Sequence, residues 1–177
     1  DYPCSFMFVA SMNPCPCGYY GDPTHRCVCT PGQIQRYMNK ISGPLLDRID
    51  IQCEISPVPF QDISKAAPGE PSAKIRERVI KAREVQAERF KDYKGIHCNA
   101  QMTERMIHQF AEPDEQGIEL LRMAMEKLSL SARAYKRILK VARTIADLAG
   151  SEQIKPDHIA EAVGYRTLDR GDWAERG

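Results

Sequence analysis

The chain has 177 residues, 42% of them hydrophobic, with 25 basic against 24 acidic side chains. That is enough apolar content for the core of one domain or two small ones, and the even balance excludes binding to nucleic acid or membrane through bulk charge alone. No apolar run reaches membrane-spanning length and no signal-peptide pattern opens the chain, which points to the cytoplasm. The seven cysteines are then expected to be thiols or metal ligands rather than a disulfide framework.

The first element is expected to be a strand, Phe6 to Asn13, apolar and β-favouring until it stops at Asn13-Pro14. In open α/β sheets ligands gather beyond the carboxyl ends of strands, so Asn13 would stand where its amide can orient a water or touch a phosphate oxygen. Its plainer role is to end the strand and start a turn. A loop rich in Gly, Pro and Cys runs from Pro14 to Cys29. Within it Cys15-x-Cys17 and Cys27-x-Cys29 place four thiols in a 15-residue window, a set that can enclose zinc tetrahedrally. Free or redox-active thiols are the alternative, and His25 is a substitute ligand. Cys4, Cys53 and Cys98 stand alone and read as small buried hydrophobes.

Thr30-Pro31 opens a short helix that carries Ile34, Tyr37, Met38 and Ile41 on one side and ends near Ser42-Gly43. A second strand is expected over Ile49 to Ile55. Arg48, between Asp47 and Asp50, either forms an ion pair with those flanking acids or projects toward a partner's phosphate. Two strands alone cannot make a sheet covered on both faces, and the chain starts without Met a few residues before a strand. We therefore read 1–57 as the α/β end of a longer protein.

Residues 58–71 form a proline-rich linker, and 72–177 read as an all-helical domain. The expected helices are Ser72 to about Tyr93, Thr103 to Phe110, Pro113 to Leu128, Ser131 to Leu148 and Pro156 to Tyr165. The first is amphipathic through Ile75, Val79, Ala82, Gln86 and Phe90, and the fourth is closed by Gly150. Arg133 sits in the first turn of the Ser131 helix, where free N–H groups and the dipole already favour an anion. Lys136, Arg137, Lys140 and Arg143 continue a basic stripe, which is either an anion-binding surface or a solvated face. Tyr135, Ile138, Ala142 and Ile145 lie opposite as core. No G-x-x-x-x-G-K-[ST] loop, acidic Walker B pair, Ser/His/Asp arrangement or H-E-x-x-H motif is visible, so the chain holds no complete active site.

Val9-Ala-Ser-Met-Asn-Pro-Cys-Pro-Cys-Gly18, Leu45-Leu-Asp-Arg-Ile-Asp50 and the Ser131 to Leu148 helix together resemble the C-terminal part of Mg-chelatase-like AAA+ ATPases, closest to the ComM (YifB) group. The resemblance implies a fold: the end of an AAA+ P-loop sheet domain followed by a helical lid bundle. It also implies roles, with Asn13 as the sensor 1 residue, Arg48 as the arginine finger and Arg133 as the sensor 2 arginine. In this branch the sensor 2 arginine is thought to act across the subunit interface. The cofactors implied are ATP and Mg2+, bound through loops upstream of this chain. The partners implied are a hexameric ring of subunits and single-stranded or branched DNA, worked on by branch migration or helicase action in recombination. Two alternatives stand beside it: a non-enzymatic zinc-bearing module that binds nucleic acid through the basic stripe, and a magnesium chelatase subunit.

Overall fold

A computed structural model describes residues 6–55, 58, 62 and 68–166. Cys4, most of the expected linker and everything after Arg166 lie outside the described residues. The described residues fall into two compact units that part between Ser42 and Gly43.

The first unit holds a single described helix, α1 (Pro31–Met38). Thr30 caps it through a reciprocal pair: its hydroxyl accepts from Gln33 N at 3.3 Å, and its own N donates to Gln33 Oε1 at 2.8 Å. Proline at the first helical position costs no hydrogen bond there, which is why the helix starts where the sequence places it.

The expected strand over Phe6 to Asn13 does not form. The run carries no strand assignment, and Phe6, Met7, Phe8 and Val9 are 62 to 87% exposed. The second expected strand shrinks to one parallel bridge, Gln52 to Arg166. A helix satisfies its backbone internally, whereas a strand needs a neighbour for every ladder bond, and no described segment supplies one. Among the described residues the helical part of the expected fold is present, and the sheet is not.

The second unit begins with α2 (Gly43–Leu46), one short turn. Its core is built by α3 (Ser72–Phe90), a 3₁₀ turn at Asn99–Gln101, α4 (Glu104–Phe110), α5 (Glu115–Lys127), α6 (Ala132–Leu148) and α7 (Pro156–Gly164). Side-chain oxygens of Thr103, Asp114 and Ser131 accept from the N–H groups of Met106, Gly117 and Ala134, so α4, α5 and α6 each begin on a side-chain cap; α5 starts at Glu115, two residues after the expected Pro113. Gly150, at φ 67°, ends α6: Ser151 N reaches back to Ala146 O at 2.8 Å, a turn that glycine makes without strain.

The core is apolar and continuous. Ile138, Leu139, Ala142 and Ala146 of α6 meet Ile159 and Ala162 of α7, Leu121 of α5, Met106 and Ile107 of α4, and Phe90. Phe90, Tyr93 and Phe110 pack edge to face with centroids 5.8 to 6.4 Å apart. Of α3, Phe90 joins this core; Ala82 and Gln86 are buried on the same helix, whereas Ile75 and Val79 of the expected stripe stay exposed. Among the described residues, no helix is long and apolar enough to cross a membrane.

Candidate metal-binding and nucleotide-contacting residues

Two tight turns fold the cysteine loop of the first unit. Gly18, at φ 85°, donates its N–H to Cys15 O at 3.1 Å, and Asp22 N donates to Tyr19 O at 3.1 Å. Asp22 Oδ1 then accepts from Thr24 N at 2.7 Å and His25 N at 3.0 Å, pinning the return of the chain toward Cys27. These turns bring Cys15, Cys17, Cys27 and Cys29 together with all four Sγ atoms within 4.8 Å of one another.

The separations Cys15–Cys17, Cys17–Cys27 and Cys15–Cys27 are 3.3, 3.5 and 3.7 Å. A zinc ion holding four thiolates at its usual bond length sets sulfurs about 3.8 Å apart at the corners of a tetrahedron. The donor set therefore fits zinc in number, type and spacing. Backbone hydrogen bonds from Tyr19 and Val28 lower the Cys17 thiol to about 6. A backbone hydrogen bond from Cys29 pulls Cys27 down, but desolvation and the neighbouring thiols outweigh it and push Cys27 up to about 12. Four crowded sulfurs cannot all ionise without a cation among them.

His25 is not part of this group. It stacks on Tyr19 at 4.9 Å, with Nδ1 2.9 Å from Thr24 Oγ1. Cys53 is exposed and Cys98 half-buried, so neither is the buried hydrophobe expected of it. Asn13 is exposed beside the loop, close enough to Gly18 that a Cβ added there would lie 3.8 Å from Asn13 Nδ2.

In the second unit Arg48 follows α2 and is exposed. Its Nη1 donates to Pro44 O at 2.7 Å, and it forms no ion pair with a described residue. The flanking acids are taken by other groups. Asp47 Oδ2 accepts from Ser131 Oγ at 3.2 Å, and Asp50 pairs with Arg137. Arg133 is exposed in the first turn of α6, which contains no acid, and has no polar partner among the described residues. Asp47 adjoins Arg48 and Ser131 lies two residues before Arg133, so the two arginines ride on elements joined at that hydrogen bond.

The other cations of the basic stripe are occupied internally. Lys136 pairs with Glu104 at 2.8 Å, Lys140 donates to Ala100 O at 2.9 Å, and Arg143 is buried against Asp147. The stripe is thus mostly a structural face, and Arg133 is its free member among the described residues. Nothing in the sequence links Ser131 to Asp47: it shows the acids that bracket Arg48, but not the partner each acid takes. Arg166, which reaches Ile49 O, carried no sequence signal at all.

The described residues thus hold a four-thiol loop in one unit and, in the other, a helical bundle with an exposed arginine in the first turn of a helix. The chain belongs to the magnesium chelatase ChlI-subunit family: the C-terminal model of that subunit matches residues 69–166, and the ChlI model itself matches residues 1–63. Competence protein ComM of Haemophilus influenzae is 43% identical over 171 residues, which is 96% of this chain and 32% of that protein. The uncharacterized protein YifB of Escherichia coli is 44% identical over 170 residues, again 96% of this chain and 32% of that protein. An uncharacterized Mycobacterium tuberculosis protein is 36% identical over 165 residues, 93% of this chain and 32% of its own length. The chain therefore spans about a third of the length of the curated relatives it matches.

Proposed function

We propose that this chain is the C-terminal portion of a Mg-chelatase-like AAA+ ATPase of the ComM type, a ring-forming motor that couples ATP hydrolysis to work on DNA. Bound Mg-ATP would supply the reacting phosphoryl group and part of its charge neutralisation. The protein's own part is electrostatic and positional. Arg48 would present its guanidinium to the charge that develops on a neighbouring subunit's nucleotide. Arg133 would add a second cation, reinforced by the positive end of α6. Asn13 would orient a water as sensor 1.

The observation that carries this reading is the pair of exposed arginines on joined elements, free of acidic partners among the described residues while the cations around them are paired. A guanidinium meant for another molecule's phosphate has to be left without a carboxylate of its own. The sheet strands that Phe6–Asn13 and Ile49–Ile55 would join, and the phosphate loop, belong in this reading to the remaining two thirds of the parent protein. Work on branched or single-stranded DNA follows from the ComM resemblance, one of whose relatives is named a competence protein.

The test is steady-state ATPase assay of the parent protein. Arg48→Ala and Arg133→Ala are each expected to lower kcat about a hundredfold or more. Mixing Arg48→Ala subunits with subunits disabled in the phosphate loop should recover part of the activity, because each supplies what the other lacks. Wild-type turnover in both single variants would overturn the assignment.

The same reading places zinc in the four-thiol site, where it would order the loop rather than take part in hydrolysis. Protein purified without chelator is expected to carry about one zinc per chain by elemental analysis. Metal-free protein with four freely titrating thiols would exclude it.

A further inference from the structure

The segment that carries Arg48 is fastened to the helical bundle at nearly every residue except Arg48. Asp47 receives Ser131 Oγ at 3.2 Å and stands 3.8 Å from Arg166 Nη2. Ile49 O accepts from Arg166 Nη1 at 2.5 Å. Asp50 pairs with Arg137. Gln52 N donates to Tyr165 O at 2.8 Å, closing the parallel bridge. The anchors come from α6 and from the chain just beyond α7, which are themselves locked together through the core. Arg166 is 1% exposed, so its guanidinium sits under the segment as a fixed post rather than a mobile surface group.

We infer that residues 47–52 and the bundle form one rigid body, in which Ser131, Arg137 and Arg166 are positioning residues for Arg48. The Ser131 hydroxyl serves both sides of the joint. It accepts from Ala134 N at 3.2 Å as the cap of α6 and donates to Asp47 as the latch on the Arg48 segment. Any rotation of α6 that carries Arg133 then carries Arg48 with it. Resting on the reading that both arginines meet a neighbouring subunit's nucleotide, this joint delivers or withdraws them together instead of in sequence.

Charge exchange in the parent protein tests the joint. Arg137→Asp and Asp50→Arg, made singly, are expected to raise hydrogen exchange at the Gln52 amide and its neighbours about tenfold or more. They should also lower kcat by on the order of tenfold to a hundredfold while KM for ATP stays within about twofold. The double exchange restores both, a rescue that general destabilisation would not give. Should a reversal variant fail to fold, Asp50→Asn keeps the shape and removes the charge, and is expected to shift exchange and kcat the same way by less. Unchanged exchange over 47–52 in the single variants, or a double variant as impaired as the two singles combined, overturns the rigid joint. Exchange that responds and is rescued while kcat never moves, with Arg48→Ala also inert, upholds the joint and removes the nucleotide role instead.

Discussion

The largest electrostatic commitment in the bundle is Asp147, whose side chain is fully buried. Arg89 grips both of its oxygens at 2.5 and 2.7 Å, Asn99 Nδ2 donates at 2.8 Å and Arg143 Nε at 3.0 Å. Arg143 spends its remaining donors on the carbonyls of Ser151 and Glu152, at 2.5 and 2.7 Å, so one guanidinium ties α6 to the turn that follows it. Desolvation, the largest influence on Arg143, depresses its pKa, and the nearby Asp147 carboxylate opposes that shift. Removing the carboxylate would leave two guanidiniums facing each other in a dry interior. Asp147→Ala is therefore expected to cost about 3–5 kcal/mol in chemical denaturation. The exposed Arg122, which pairs with Glu119 and Glu126 along its own helix, should by contrast be replaceable by Ala with little change in Tm. The sequence placed Arg143 on an outward basic stripe because helical spacing counts only the charges of one helix. Arg143 instead turns inward to Asp147, one turn further along its own helix, and that carboxylate is held in the interior by Asn99 and by Arg89, 58 residues away in sequence.

Helix starts were legible within two residues, and the reason is local; ends were less so, since α1 stops at Met38 rather than near Ser42-Gly43 and the short turn Gly43–Leu46 was not expected. Thr30, Thr103 and Ser131 each announce a helix start with a side-chain acceptor, and Pro31 and Pro156 occupy first-turn positions where proline is harmless. The sheet was not realised because its bonds lie between segments, and the described residues contain no second ladder strand. Gly117 shows how closely two elements can be set by what a residue lacks. A Cβ there would stand 2.9 Å from Pro113 Cβ, 3.1 Å from Asp114 Oδ1 and 3.5 Å from Ile159 Cγ1 on α7. Alanine normally gains about 1 kcal/mol over glycine inside a helix, but overpacking costs roughly 1–3 kcal/mol. Gly117→Ala is thus expected to lower the urea midpoint rather than raise it. The cysteine cluster was legible as a candidate donor set beside free or redox-active thiols, and what folding adds is that the two Cys-x-Cys pairs meet. The Arg48 site was legible only as an ambiguity, because which acid pairs with which base is decided by folding.

At the scale of the whole chain the two units are stabilised by different means. The second has a core of more than a dozen buried apolar residues. The first buries only Cys15 and Ile34 among its described residues, too little to hold some forty residues in place by burial alone. With zinc in the four-thiol site as proposed, chelation is expected to broaden or shift the NMR amide signals of residues 6–42, while the far-UV helical signal of the bundle persists. Loss of the bundle signal on chelation would show that the thiol site supports more than its own unit. The run Phe6-Met-Phe-Val9 carries another consequence. A ribbon suited to the middle of a sheet but standing in water keeps its backbone valences open to whatever strand arrives first. With that edge unpaired, the piece should be sticky in a concentration-dependent way, and Met7→Lys should keep it in solution longer. In the proposed parent protein, the same appetite would stitch the run into a sheet.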